Sequence, residues 1–248
     1  MLRAMYRRLA PETIRRPLWE ARQTVVRSRA VRNSRYARAR FVGHYPVPFA
    51  AARDTLNRVH YGEHAPRFAE LIWVDPRECQ VCPTWIGSYR SGEVVRGEWD
   101  LGARPLHEHT TVQWCRQRFE LGMSWEQTGA YAHMRRLIRE SGRARDGCIT
   151  DADIIARYER LDALFRQVQE EGRLRPRSEL DDDAFRELGG VLIHIGRDCR
   201  PLLGCSGGHR LGVALSANLP LIPASIGVVH RQALSDWHQR HRAESDRA

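Results

Sequence analysis

The residues best equipped for chemistry run from 204 to 210: Gly204, Cys205, Ser206, Gly207, Gly208, His209 and Arg210. Glycines let a backbone turn its N–H groups toward one point. A helix beginning near His209 adds the positive end of its dipole there. Arg210, in the first turn of such a helix, offers a forked guanidinium that grips an oxyanion with two N–H bonds. Together these predict a cradle for a phosphate-like anion. His209 reads as a phosphate donor, a general acid/base or a structural histidine satisfied by its neighbours.

Other reactive side chains are spaced less productively. Cys79 and Cys82 have the separation of a zinc pair, but a structural site takes four ligands and no second pair at that spacing exists. The six cysteines therefore read as reduced thiols, and no metal site is expected. His60 and His64 share a helical face but lack a third ligand. His107 and His109, two apart around Glu108, do not share a helical face.

Composition narrows the chemistry further. All 40 basic residues are arginine. P-loop, Schiff-base and protein-kinase mechanisms each need a lysine, so all three are excluded. Residues 1–45 hold 12 arginines against two glutamates, which is the whole formal charge of +10. The arm interleaves these with Leu18, Trp19, Tyr36 and Phe41, and its apolar residues recur at helical spacing. It reads as a basic amphipathic element for an anionic membrane surface or a partner protein, with nucleic acid less favoured. The opposing reading is a helix packed on its own domain with its arginines solvated. No stretch approaches 18 consecutive apolar residues, which excludes a transmembrane helix. No apolar segment follows the basic start, so a cytoplasmic location, peripheral to the membrane if the arm anchors it, is expected.

The elements that must position the 204–210 segment follow from periodicity. The spacing predicts a helix over 49–64 after a Pro-Val-Pro linker, a strand over 70–74 stopped by Asp75 and Pro76, and a hairpin over 85–95 turning at Ser91 and Gly92. Residues 109–188 read as helical, with a capping box at Ser124 and Gln127 and stops at Gly122 and Gly142. Ile154, Tyr158, Leu161, Phe165 and Val168 fall on one face of a helix over 150–171, ended by Gly172, and read as core. Strands over 190–196 and 201–203 lead into the glycine segment. A helix over 209–218, a strand over 223–229 and a polar helix over 232–242 follow. The fold class is α+β: a small mixed β-sheet, a helical insertion and a basic N-terminal helical arm, divided as 1–45, 46–100, 101–188 and 189–248.

Gly208, His209, Arg210 and Leu211, then Ala214, then Ile222, Pro223 and the strand to Val229, resemble the signature of the ParB/sulfiredoxin superfamily. The strand from Leu71 to Val74 with Asp75 and Pro76 resembles the superfamily's opening strand. The layout from Glu98, Trp99 and Asp100 through the helices to the glycine segment is similar to ParB-like proteins of bacteria and archaea. The resemblance covers about 70–80 and 190–230 and implies a nucleotide whose phosphates are held by Gly204, Ser206, Gly207, Gly208, His209 and Arg210. It departs from sulfiredoxins, which place a cysteine immediately before the His-Arg pair, where this chain has Gly208. It departs from partition proteins too, because only about twenty residues follow Val229 and no helix-turn-helix region is recognisable there.

What remains implied is a phosphotransferase acting on a small-molecule hydroxyl, or an NTP hydrolase, using ATP, ADP or CTP with Mg2+. Such chemistry asks for a carboxylate to position the acceptor. Glu78 and Asp100 are the candidates, beside His209, while Asp75 reads as a turn residue before Pro76. The alternative is a non-catalytic module switched by nucleotide, with the arm contacting nucleic acid or membrane.

Overall fold

The structure is a computed structural model, and it describes residues 47–182 and 184–241. The expected basic arm over 1–45 lies outside the described residues. The chain divides by compactness after Ala52. The larger part begins at Arg53.

That part is α+β, built on one mixed seven-stranded sheet. Helix α1 (Val47–Tyr61) leads to β1 (Leu71–Val74), β2 (Gln80–Val81), β3 (Val94–Val95) and β4 (Arg104–Pro105). Helices α2 (Thr110–Phe119), α3 (Ala130–Ser141), α4 (Asp151–Glu171) and the short α5 (Arg177–Leu180) follow. The chain then returns through β5 (Val191–Ile195), β6 (Pro201–Leu203), α6 (Gly208–Ser216), β7 (Ile222–His230) and α7 (Trp237–His241). The strand order is β1-β7-β5-β6-β2-β4, with β3 also paired to β7. β7 and β5 run parallel at the centre and are buried at every position, as strands covered on both faces must be.

Alternation along β5 sorts the two faces. Val191, Ile193 and Ile195 join Ile72, Ile222 and Ile226 in the larger core, closed by Val112 of α2, Val168 of α4 and Leu211 of α6. On the other face Leu202 and Val228 pack with Ile86 and Trp99. A third cluster, with Trp125, Met134, Ile154 and Tyr158, ties α3 and α4 together. Helix α4 forms as the sequence predicts. Thr150 and Asp153 make a reciprocal capping box, and Gly172 closes the helix at φ +66°. Ser124 and Gln127 exchange the two hydrogen bonds of a capping box, but in the turn that precedes α3.

Two expected elements differ. The predicted 85–95 hairpin is absent. Residues Ser88–Arg90 form a 3-10 turn, and only Val94–Val95 is strand, paired parallel to β7. Its proposed turn residues are committed elsewhere: Ser91 Oγ donates to the Ile226 carbonyl, and the Gly92 N–H donates to the Gly227 carbonyl at 2.6 Å. The closing helix is also shorter than predicted. It spans Trp237–His241 among the described residues, and it is anchored by a wholly buried Trp237. No helix of the described residues is long and apolar enough to cross a membrane.

Candidate functional site

The glycine segment is folded back against the first residues of β5. The Gly204 N–H donates to the Leu192 carbonyl at 2.8 Å, and the Leu192 N–H donates to the Ser206 carbonyl at 3.2 Å. Gly207 then turns the chain in the left-handed region at φ +90°, where any Cβ would overlap the Val191 backbone. Helix α6 starts at the next residue, and no side chain caps its first turn. Cys205 and Ser206 are exposed, while His209 is buried.

Helix α2 lies beside α6 and runs the same way. Its N-cap, His109, places its ring against Gly208, where a Cβ would come within 2.8 Å of the imidazole. One turn on, a Cβ at Gly212 would stand 2.7 Å from that of Cys115, and the Cys115 thiol donates to the His209 carbonyl. Two helix N-termini therefore open side by side, and their dipoles add a positive potential.

Several buried polar atoms at this place have no hydrogen-bond partner among the described residues: His209 Nε2, His109 Nδ1, Tyr158 Oη and Arg157 Nη1. The Tyr158 and His209 rings meet edge to face, with centroids 5.7 Å apart. Burial, reinforced by the Arg157 and Arg145 charges, pushes His209 down to about 3. Burial raises Tyr158 to about 12, against the pull of Arg157. His109 is lowered by burial and then by Arg145 and Arg104. At neutral pH the two imidazoles are thus uncharged and the phenol keeps its proton. Each unmet polar atom costs about 1–3 kcal/mol, a cost that a ligand supplying acceptors would remove.

Arg210 leaves the helix start toward the segment between α4 and α5, where its Nη2 donates to the Arg175 carbonyl at 2.7 Å. Burial lowers its pKa, opposed by the nearby Glu187 carboxylate, and its Nε has no partner among the described residues. Around it stand Arg157 and Arg160 of α4 and Arg177 of α5.

Both carboxylate candidates are paired with arginines from outside the glycine segment. Glu78 is half exposed and paired with Arg240 at 2.8 Å. Asp100 accepts from the Arg197 backbone N–H at 2.8 Å and is paired with its guanidinium. Burial alone would raise Asp100, but these Arg197 bonds hold it below the usual carboxylate range. Arg197 follows the end of β5, whereas Gly207 packs at its beginning on Val191. At about 3.3 Å per residue, the length of the strand separates them. Asp75 caps the turn that follows β1 through the Arg77 N–H. Cys79 is buried, its thiol pushed up by burial, and Cys82 is partly exposed. No group of three or more His, Cys, Asp or Glu side chains suited to a metal ion occurs among the described residues.

Sequence reasoning therefore singled out Gly204 to Arg210 but missed His109, Arg157, Tyr158, Arg160 and Arg177. Tyr158 reads as core from the apolar stripe of α4 and is core, fully buried in the cluster with Trp125, Met134 and Ile154; what the stripe does not show is its unpartnered hydroxyl. Arg157 and Arg160 flank that stripe, and a helix edge with two arginines beside a buried tyrosine was the available signal. Compared with family models, with curated proteins and with solved structures, the chain matches none of them.

Proposed function

We propose that this is a nucleotide-binding protein of the ParB/sulfiredoxin kind, which holds the phosphates of ATP, ADP or CTP at the turn from Gly204 to Arg210. The observation that carries the reading is the uncapped start of α6, set by Gly207 at φ +90° beside the parallel start of α2. Backbone N–H groups at such a start are donors for an oxyanion. The order of elements supports the same reading: a β5–β6 hairpin, a glycine turn, α6, and then β7 parallel to β5 with β1 antiparallel beside it. The unpartnered His209 Nε2 and Arg157 Nη1 suit phosphate oxygens as acceptors.

In the phosphotransferase or hydrolase form of this proposal, the nucleotide would be accompanied by Mg2+, which would neutralise its phosphates, and His209 Nε2 would donate to a phosphate oxygen. The second form is a non-catalytic switch. The ion pairs that occupy Glu78 and Asp100 favour the switch, since neither carboxylate is left to position an acceptor hydroxyl. A thermal-shift screen with ATP, ADP and CTP, each with magnesium, tests the binding, and phosphate release in the same samples separates the two forms. Stabilisation by one nucleotide without phosphate release is the expected result. No shift with any of the three would remove the proposal.

A further inference from the structure

We propose that Arg157, Arg160, Arg177 and Arg210 form a pocket for a compact polyanion in which two or three phosphoryl groups are joined in a row. The four arginines come from three elements, α4, α5 and the start of α6, and line one open pocket of about 570 Å³ together with Leu161 and Leu164. A volume of this size is that of a small-molecule site.

Four like charges on one pocket call for counter-charge, and the protein supplies little of it. Asp146 is the one carboxylate in the lining, and it is taken by Arg157 Nε at 2.8 Å. Arg177 reaches Asp181 at a loose 3.6 Å. Arg210 donates to a backbone carbonyl, and the neighbouring Glu187 is buried, which raises its pKa, and accepts from the Arg177 backbone N–H at 2.7 Å. Arg160 is exposed and makes no hydrogen bond or ion pair with the described residues. Arg157 Nη1, Arg177 Nε and Arg210 Nε are each buried without a partner among the described residues. Buried guanidinium groups with unfilled donors are otherwise rare, and their forks match phosphate oxygens two at a time. One orthophosphate occupies about two such forks; four forks suit linked phosphoryl groups. The apolar Leu161 and Leu164 leave room for a less polar group attached to that chain.

The pocket shares Arg157 and Arg210 with the glycine-turn reading, whereas Arg160 and Arg177 belong to the pocket alone. The test uses the full chain, calorimetric titration at about 0.15 M salt, and sodium tripolyphosphate, pyrophosphate and orthophosphate as probes. Tripolyphosphate and pyrophosphate should bind with one site per chain, and orthophosphate at least tenfold more weakly. Arg160→Glu should lower tripolyphosphate affinity at least tenfold with an unchanged melting temperature, and Arg160→Lys should recover part of it. Arg166→Glu, a reversal at an exposed position of the same helix outside the pocket, should change affinity less than twofold. This control separates the pocket from diffuse attraction to the arginines of residues 1–45. Equal losses in Arg160→Glu and Arg166→Glu, or no saturable tripolyphosphate binding, would overturn the pocket. Nucleotide stabilisation that survives Arg160→Glu while tripolyphosphate fails to bind the wild type rejects the pocket and keeps the glycine turn. Tripolyphosphate binding that Arg160→Glu removes, in a chain no nucleotide stabilises, keeps the pocket and rejects the nucleotide reading. Comparing ATP or CTP with tripolyphosphate shows whether a nucleoside adds affinity or the phosphate chain alone is read.

Discussion

His209 carries the sharpest consequence for the behaviour of a single residue. Its folded-state pKa of about 3 lies well below the 6.5 of a free imidazole, chiefly through burial and secondarily through Arg157 and Arg145. Above pH 6.5 neither folded nor unfolded chain binds this proton, so stability is full. As pH falls below 6.5 the unfolded chain takes up a proton that the folded chain refuses, and stability drops until about pH 3. His194, lowered to about 4 by burial between Gly204 and Gly227, loses stability over the same upper range. Each such histidine contributes a slope of about 1.4 kcal/mol per pH unit once the unfolded form is fully protonated. His209→Gln should therefore reduce the pH dependence of unfolding free energy between pH 6.5 and 5 by close to one proton. Urea unfolding at several pH values measures it, and equal slopes in the two proteins would show that His209 takes up its proton as readily in the folded chain as in the unfolded one.

At the scale of elements, the central strands hold together through close approach. His194 on β5 accepts from the Val228 N–H through Nδ1, and β5 shifts register against β7 between Ile193 and Ile195. Gly227 sits in that irregularity, and a Cβ there would overlap the imidazole. Gly227→Ala should cost about 3 kcal/mol or more, and His194→Ala in the same chain should return part of the loss. Additive losses, with no recovery in the double variant, would mean that the two do not compete for one space. Asp100 belongs at this scale too, as a clamp between the segment after β3 and the turn after β5. Asp100→Ala should lower stability by about 2 kcal/mol and leave nucleotide-dependent stabilisation unchanged; a selective loss of nucleotide binding would return it to the site. Local signals made much of this legible. The capping residues and apolar stripe of α4, the β5–β6 hairpin and the glycine turn into α6 are all written in neighbouring residues. The 85–95 segment was not, because Ser91 and Gly92 carry turn chemistry that is used to bind β7 across more than 130 residues. The arginine pocket was not legible either. It exists only when 157, 160, 177 and 210 meet, and no periodicity links residues on three separate elements.

At the scale of the whole molecule, charge and core are kept apart in the sequence. The described clusters draw on residues from Ile72 onward, while residues 1–45 carry the whole net charge of +10. A chain beginning at Tyr45 is therefore expected to keep its fold and its melting temperature, because none of the described core is removed. It is formally neutral, so its long-range attraction to anionic surfaces should vanish with the arm. Each arginine near an anionic bilayer contributes about 1 kcal/mol, and at physiological salt this reaches only about 8 Å from the surface. Twelve arginines among Leu18, Trp19, Tyr36 and Phe41 can combine that attraction with shallow apolar insertion. The full chain should then co-sediment with phosphatidylserine vesicles at about 0.1 M salt and be largely released at about 0.5 M, where screening is several-fold shorter in range. The chain from Tyr45 should stay in the supernatant at both. Equal vesicle binding by the two chains would move the membrane contact onto the residues from Tyr45 onward. Unfolding or aggregation of the shorter chain would make the arm a packed element whose arginines face water, and the separation of charge from core would then belong to the sequence alone.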